Sequence, residues 1–189
     1  KAVKTKTSAI TSKAVSKVVL KEAVAKKEIK FKDLAPTHPA YPYVMKMVAS
    51  YEVISGYPDG TFRGGKTVNR AEFSKVLMST VSYFENKYRI ALADETAEKE
   101  VKFKDLGANH WAYPNIIDLV AKYKLVTGYP NGTFGPNRTI NRFELATILA
   151  KTVKLVYARY EMPLASAETV SFKDVKPNHW AMRDIELLI

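Results

Sequence analysis

Gly56-Tyr57-Pro58-Asp59-Gly60-Thr61-Phe62, followed by Val68-Asn69-Arg70-Ala71-Glu72, is the stretch on which the fold turns. It returns 72 residues later as Gly128-Tyr129-Pro130-Asn131-Gly132-Thr133-Phe134 and Ile140-Asn141-Arg142-Phe143-Glu144. Both halves keep the same offset, so nothing is inserted between the copies, and such self-similarity marks a repeat architecture. Pro-Asp-Gly and Pro-Asn-Gly predict a tight turn: proline suits its first central position, and glycine supplies a positive φ. Asn69 and Asn141 then read as helix N-caps. Glu72 and Glu144, three residues on, complete the pattern of a capping box. The unit is a turn leading into a capped helix.

Working outward, each unit opens with a shorter signal. Phe31-Lys32-Asp33-Leu34 recurs as Phe103-Lys104-Asp105-Leu106 and, 69 residues after that, as Phe172-Lys173-Asp174-Val175. Val44, Met47, Val48 and Tyr51 predict a first helix by their i, i+3, i+4, i+7 spacing, and Ile116, Leu119, Val120 and Tyr123 repeat it. The capped second helices carry Phe73, Val76, Leu77, Val81 and Phe84, then Leu145, Ile148, Leu149, Val153 and Val156. A third unit starts at Asn178-His179-Trp180-Ala181, with Ile185, Leu188 and Ile189 opening its stripe. The spans are a basic leader at 1–30, first unit and charged connector at 31–100, second unit at 101–168, and a partial, truncated third at 169–189. The leader holds a candidate helix capped by Ser12, with Val15, Val18, Val19 and Ala23 at helical spacing. One helix pair cannot close a core, so the units are expected to pack on one another.

Composition excludes several classes. Hydrophobic content of 47% with 26% charged residues suits a water-soluble packed fold, and no apolar run approaches a membrane span. Zero cysteines remove disulfides, thiolate metal sites and cysteine nucleophiles together. A net charge of +11 favours polyanionic partners, with nine lysines against two glutamates in residues 1–30. No nucleophile–base pair, zinc-protease helix or phosphate-cradling glycine loop is present, so neither an enzyme nor a cofactor is expected in this segment. His38, His110 and His179 recur at equivalent positions without carboxylates at ligand spacing, and no metal site is expected.

The ordered set Phe-Lys-Asp-Leu, His-Trp-Ala, Gly-Tyr-Pro-Asp-Gly-Thr-Phe and Arg-Ala-Glu resembles the surface-layer homology repeats of bacterial envelope proteins. The resemblance covers residues 31 to about 84, 103 to about 156, and 172–189. It implies an all-α fold with short loop strands, a pseudo-threefold bundle of helix–loop–helix units with glycan-binding grooves between them. It also implies non-covalent anchoring to an anionic secondary cell-wall polysaccharide, in some cases pyruvylated, or to peptidoglycan. The location implied is the cell wall or S-layer, or the periplasmic face of the outer membrane in a diderm. Carried over by motif, the acid group falls to Arg70 and Arg142.

Those arginines stand at helix starts, where free N–H groups and the dipole favour an anion, and a guanidinium can hold a carboxylate bidentately. Asp33, Asp105 and Asp174 are candidates to receive sugar hydroxyls or to cap turns. Tyr57, Tyr129, Gly56 and Gly128 are candidate groove walls, and Trp111 and Trp180 either pack between units or offer a platform to a sugar face. The chain departs from the family with Asn69 and Asn141 for threonine, Phe143 for alanine, and Pro39 for the tryptophan of the other units. Self-assembly in a surface lattice without glycan binding is the first alternative. Nucleic-acid binding is the weaker second, because the lysines crowd the leader and not a helix face.

Overall fold

The computed structural model describes residues 29–94, 96, 100–163 and 169–189. The expected leader helix and part of the charged connector lie outside these. Five helices form among the described residues: α1 (Tyr41–Ala49), α2 (Arg70–Tyr88), α3 (Tyr113–Ala121), α4 (Arg142–Arg159) and α5 (Met182–Leu187). The expected loop strands reduce to single antiparallel bridges, Asn69 with Thr139, Phe103 with Leu106, and Phe172 with Val175. The architecture is all-α.

Each short helix begins after a histidine that folds back on the chain. His38, His110 and His179 each accept the N–H two residues on through Nδ1, at 3.1, 3.1 and 3.3 Å. Pro42 and Pro114 follow in the first turn of α1 and α3, where a missing N–H costs nothing. The long helices begin differently. Asn69 Oδ1 accepts the Glu72 N–H at 2.8 Å while the Asn69 N–H donates to Glu72 Oε2 at 3.0 Å. Asn141 and Glu144 repeat this at 2.9 and 3.0 Å, so both asparagines close full capping boxes.

Backbone detail repeats as faithfully as sequence. Left-handed residues recur at the 72-residue offset: Glu52 with Lys124, Arg63 with Gly135, and Arg89 with Glu161. The turn glycines match too, at φ 81° for Gly60 and 82° for Gly132.

Packing crosses the units. Helix α2 lies against α3, and α4 against α5, while the backbones of α1 and α2, or of α3 and α4, do not approach closely. The main core therefore joins Ala71, Leu77 and Val81 of the first unit to Ile116, Leu119, Leu125 and Phe134 of the second. Each buried Leu, Ile, Val or Phe among these contributes about 1.5–3 kcal/mol. A smaller cluster, Leu34, Val44 and Val48, holds α1 to its own turn through Phe31 and Phe62. Two details of the expected stripes differ. In α4, Ile148 and Ala150 turn inward, which leaves Leu149 on the outer face at 40% exposure. In the third unit Ala181 and Met182 are buried, while Leu188 and Ile189 are exposed.

Candidate functional site

The Gly-Tyr-Pro turns are built alike. Tyr57 N–H donates to Thr61 O at 2.8 Å and Gly60 N–H to Tyr57 O at 3.0 Å; Tyr129 and Gly132 repeat this at 2.7 and 3.0 Å. Asp59 and Asn131 each accept both the N–H and the hydroxyl of the threonine two residues on. Asp33 and Asp105 latch the far side of each turn. Asp33 accepts the N–H groups of Phe62 and Arg63 at 2.7 and 2.6 Å, and Asp105 those of Phe134 and Gly135 at 2.7 and 2.8 Å. The Phe62 N–H is the main reason the Asp33 carboxyl lies below the ordinary value of 3.8. For Asp105 burial pushes upward, but the Phe134 and Gly135 N–H groups, with Arg70 nearby, outweigh it and the net shift is downward. Asp174 is exposed and makes no such latch among the described residues.

Gly56 and Gly128 are required by close approach. A Cβ at either would overlap the ring of Phe31 or Phe103 and sit 2.8 Å from the carbonyl oxygen of Thr61 or Thr133.

Around these matching turns the two units part ways. Arg70 is 6% exposed and is inserted into the second unit's turn. Its Nε donates to Phe134 O at 2.9 Å, Nη2 to Thr127 O at 2.7 Å, and Nη1 lies 3.5 Å from Glu144 Oε1. The guanidinium also faces the rings of Tyr129 and Phe134 at 4.8 and 4.5 Å. The Arg70 and Ala71 N–H groups donate to Arg138 O and Pro136 O. Arg142 is exposed, and its side chain has no hydrogen bond or ion pair among the described residues.

The same surface on the first unit stands open as a cleft of about 680 Å³. It brings together Gly56, Tyr57 and Trp111 of the expected groove residues, the last reaching in from the second unit, with the capping Glu72 beside them. Trp111 is 55% exposed and lies against His110 at 5.6 Å, so its ring is available at the rim. Trp180 is 63% exposed and sits with His179 and Phe143 away from the cleft.

The cleft's cations come from residues that motif spacing did not single out. Arg63 pairs with Asp59 at 2.6 Å and covers the Tyr57 ring at 4.1 Å. Lys66 bridges Glu72 Oε1 and Tyr57 Oη at 3.0 and 3.1 Å. Lys75 projects from α2 into the cleft and has no partner among the described residues. One signal for Arg63 was legible: it takes φ 57° where the second unit uses Gly135, a conformation that costs a side-chain-bearing residue about 1 kcal/mol. A second hollow of about 550 Å³, at the end of α2, holds none of the expected residues.

Residues 30–74 and 102–146 match the S-layer homology domain. The chain carries S-layer homology repeats. It is 35% identical over 157 residues to the cellulosome-anchoring protein of Acetivibrio thermocellus, covering 83% of this chain and 32% of that one. It is 39% identical over 83 residues to the S-layer protein EA1 of Bacillus anthracis, covering 44% of this chain and 9% of the relative. An endoglucanase of a Bacillus species is 30% identical over 135 residues, 70% of this chain and 12% of the enzyme. The chain thus spans about a third or less of these relatives. The repeats place it among proteins of the cell envelope, and no helix among the described residues is long and apolar enough to cross a membrane.

Proposed function

We propose that this S-layer homology segment anchors an envelope protein non-covalently to an anionic wall polymer, and that the polymer lies in the first unit's cleft. The observation that carries this reading is Lys75, an ammonium group without a partner among the described residues, in a cleft of about 680 Å³ with exposed Trp111 at its rim. A sugar ring stacks on the indole through its C–H face, while an acid group on that sugar meets Lys75, with Arg63 and Lys66 adding positive potential. Arg70 does not take that role in this account, because its donors are already committed to two backbone carbonyls. No catalytic step is assigned to the segment.

Co-sedimentation with purified wall sacculi, before and after acid removal of the attached polysaccharide, tests this. The expected result is pelleting that needs the polysaccharide, weakens with salt, and falls about tenfold in Lys75→Ala, the loss of one charge-assisted contact. Pelleting indifferent to stripping would move the ligand to peptidoglycan. No pelleting at low salt would end the anchoring proposal for this segment.

A further inference from the structure

The second unit's turn carries a reactive pair of residues that the joint between the first two units holds shut. Asn131-Gly132 is the one Asn-Gly step in the chain; each of the other asparagines is followed by Arg, Lys, His or Ile. A following glycine matters chemically, because no Cβ obstructs its backbone nitrogen as it reaches back toward the asparagine side chain. That side chain is also set for attack. Asn131 Oδ1 accepts the Thr133 N–H at 3.0 Å and the Thr133 hydroxyl at 2.7 Å, two donors that polarise the Cγ carbonyl and can hold an oxyanion there. Asn131 is exposed, and its Nδ2 has no partner among the described residues.

What opposes the reaction is the backbone. Gly132 N–H donates to Tyr129 O at 3.0 Å, which ties up the attacking nitrogen and closes the turn. Tyr129 N–H donates to Thr133 O at 2.7 Å, Lys104 N–H to Gly132 O at 3.0 Å, and Lys104 Nζ to Asn131 O at 2.8 Å. Arg70 then straps the two ends together, with Nη2 on Thr127 O just before the turn and Nε on Phe134 O just after it. The guanidinium that joins the first unit to the second therefore also shuts the turn around Asn131. All of these contacts lie within the first and second units.

We propose that Asn131 is a self-modification site guarded by the Arg70 joint. When the joint opens and the turn loosens, the Gly132 nitrogen gives its proton to hydroxide and attacks Asn131 Cγ. The Cγ–Nδ2 bond breaks, Nδ2 leaves as ammonia with a proton from water, and a succinimide ring remains. Water opens the ring at either carbonyl, so one water is consumed, one ammonia is released, and the product is aspartate or isoaspartate. The two products differ in consequence. Aspartate fits the turn, as Asp59 accepts the matching Thr61 N–H and hydroxyl at 3.0 and 2.6 Å in the first unit. Isoaspartate routes the main chain through Cγ, which lengthens the backbone ahead of Gly132 and displaces Thr133 and Phe134. The Phe134 carbonyl then no longer meets Arg70, so an opening that has led to isoaspartate does not reclose. The joint protects the turn, and the modified turn disables the joint.

Peptide mapping by mass spectrometry, with ion exchange to resolve the added negative charge, follows Asn131 in the 189-residue chain kept in mildly alkaline buffer. In urea, where turn and joint are absent, Asn131 should convert well ahead of every other asparagine. In the folded chain it should convert at least about tenfold more slowly, because reaction waits on local opening. Arg70→Ala should recover much of the rate seen in urea. Arg70→Lys keeps the charge but cannot bridge two carbonyls, and should fall between. Circular dichroism establishes that each variant is folded, and Arg70→Lys carries the comparison alone if Arg70→Ala is not. Val48→Ala, in the separate first-unit cluster, controls for general loss of stability and should accelerate Asn131 by less than about twofold. Asn131→Asp should melt with the parent, whereas the isolated isoaspartate form should melt lower. No lead for Asn131 in urea, a folded chain that loses Asn131 as fast as the unfolded one, Arg70 variants no faster than Val48→Ala, or an isoaspartate form as stable as the parent would each overturn the proposal.

Discussion

The two Gly-Tyr-Pro-Asp/Asn-Gly-Thr-Phe turns have nearly the same sequence, the same left-handed glycine and the same aspartate latch, yet one is filled and the other open. Phe134 is 1% exposed while Phe62 is only half-buried; Pro136 is buried while Gly64 is exposed. The difference is not written in either turn. It comes from the helix start that reaches, or does not reach, across from elsewhere. In a repeat protein the same motif can be an internal joint in one unit and an accessible surface in the next, according to its neighbour.

The strongest way to break this comparison is to remove the plug. Arg70→Ala leaves the buried Phe134 carbonyl, the Thr127 carbonyl and Glu144 without their donor, and should cost about 3 kcal/mol in urea unfolding. Arg142→Ala, at the equivalent but exposed position, should stay within about 0.5 kcal/mol of the parent at concentrations where the chain is monomeric. Equal losses would mean that Arg70 is no joint.

The latches come next. Asp105→Ala strands two N–H groups beside buried Phe134 and should cost about 2 kcal/mol, more than Asp33→Ala at the half-open turn. Both carboxyls are depressed in the folded state, so their stabilisation is complete above the ordinary value of 3.8 and is lost as pH falls through the lowered folded values. Melting temperature should therefore drop on acidification below that value, and Asp105→Asn should flatten part of the slope. A slope unchanged by the substitution would detach the latch from acid stability.

The caps serve as the control that sharpens the contrast. Asn69→Ala and Asn141→Ala should each cost about 1 kcal/mol, since both capping boxes are complete whatever stands beside them. The smallest effect is expected for Arg63→Gly. It relieves the left-handed backbone but gives up the exposed Asp59 pair and the Tyr57 contact, so the two effects should nearly cancel in the melting temperature. Wall binding by that variant should fall even where stability does not.

Much of this was legible beforehand. Pro-Asp-Gly specified the turn, Asn-Arg-x-Glu the capped helix, and the stripes Ile116, Leu119 and Tyr123 the buried face, because each is a short-range rule acting over one turn of chain. The family resemblance was carried by the same motifs. What stayed hidden was long-range. Arg70 and Arg142 occupy identical local settings, and only packing across units makes one a buried joint. Leu149 matched the helical stripe, yet Ile148 and Ala150 face inward and Leu149 is left on the outer face. Lys66 and Lys75 belong to no motif, and their role depends on Trp111 arriving from the following unit. Asp33 and Asp105 read equally as sugar contacts or caps, and the geometry commits both to backbone N–H groups.

The most direct measurement is a pair of wall-binding isotherms at sub-micromolar protein, on sacculi that retain their polysaccharide. One variant, Lys75→Ala/Trp111→Ala, disables the open cleft; the other, Arg142→Ala/Trp180→Ala, alters the exposed start of α4 and the third unit. The account predicts that the first loses at least about tenfold in affinity while the second stays within about twofold. The reverse order, or equal losses, would contradict the assignment of the ligand to the first unit's cleft.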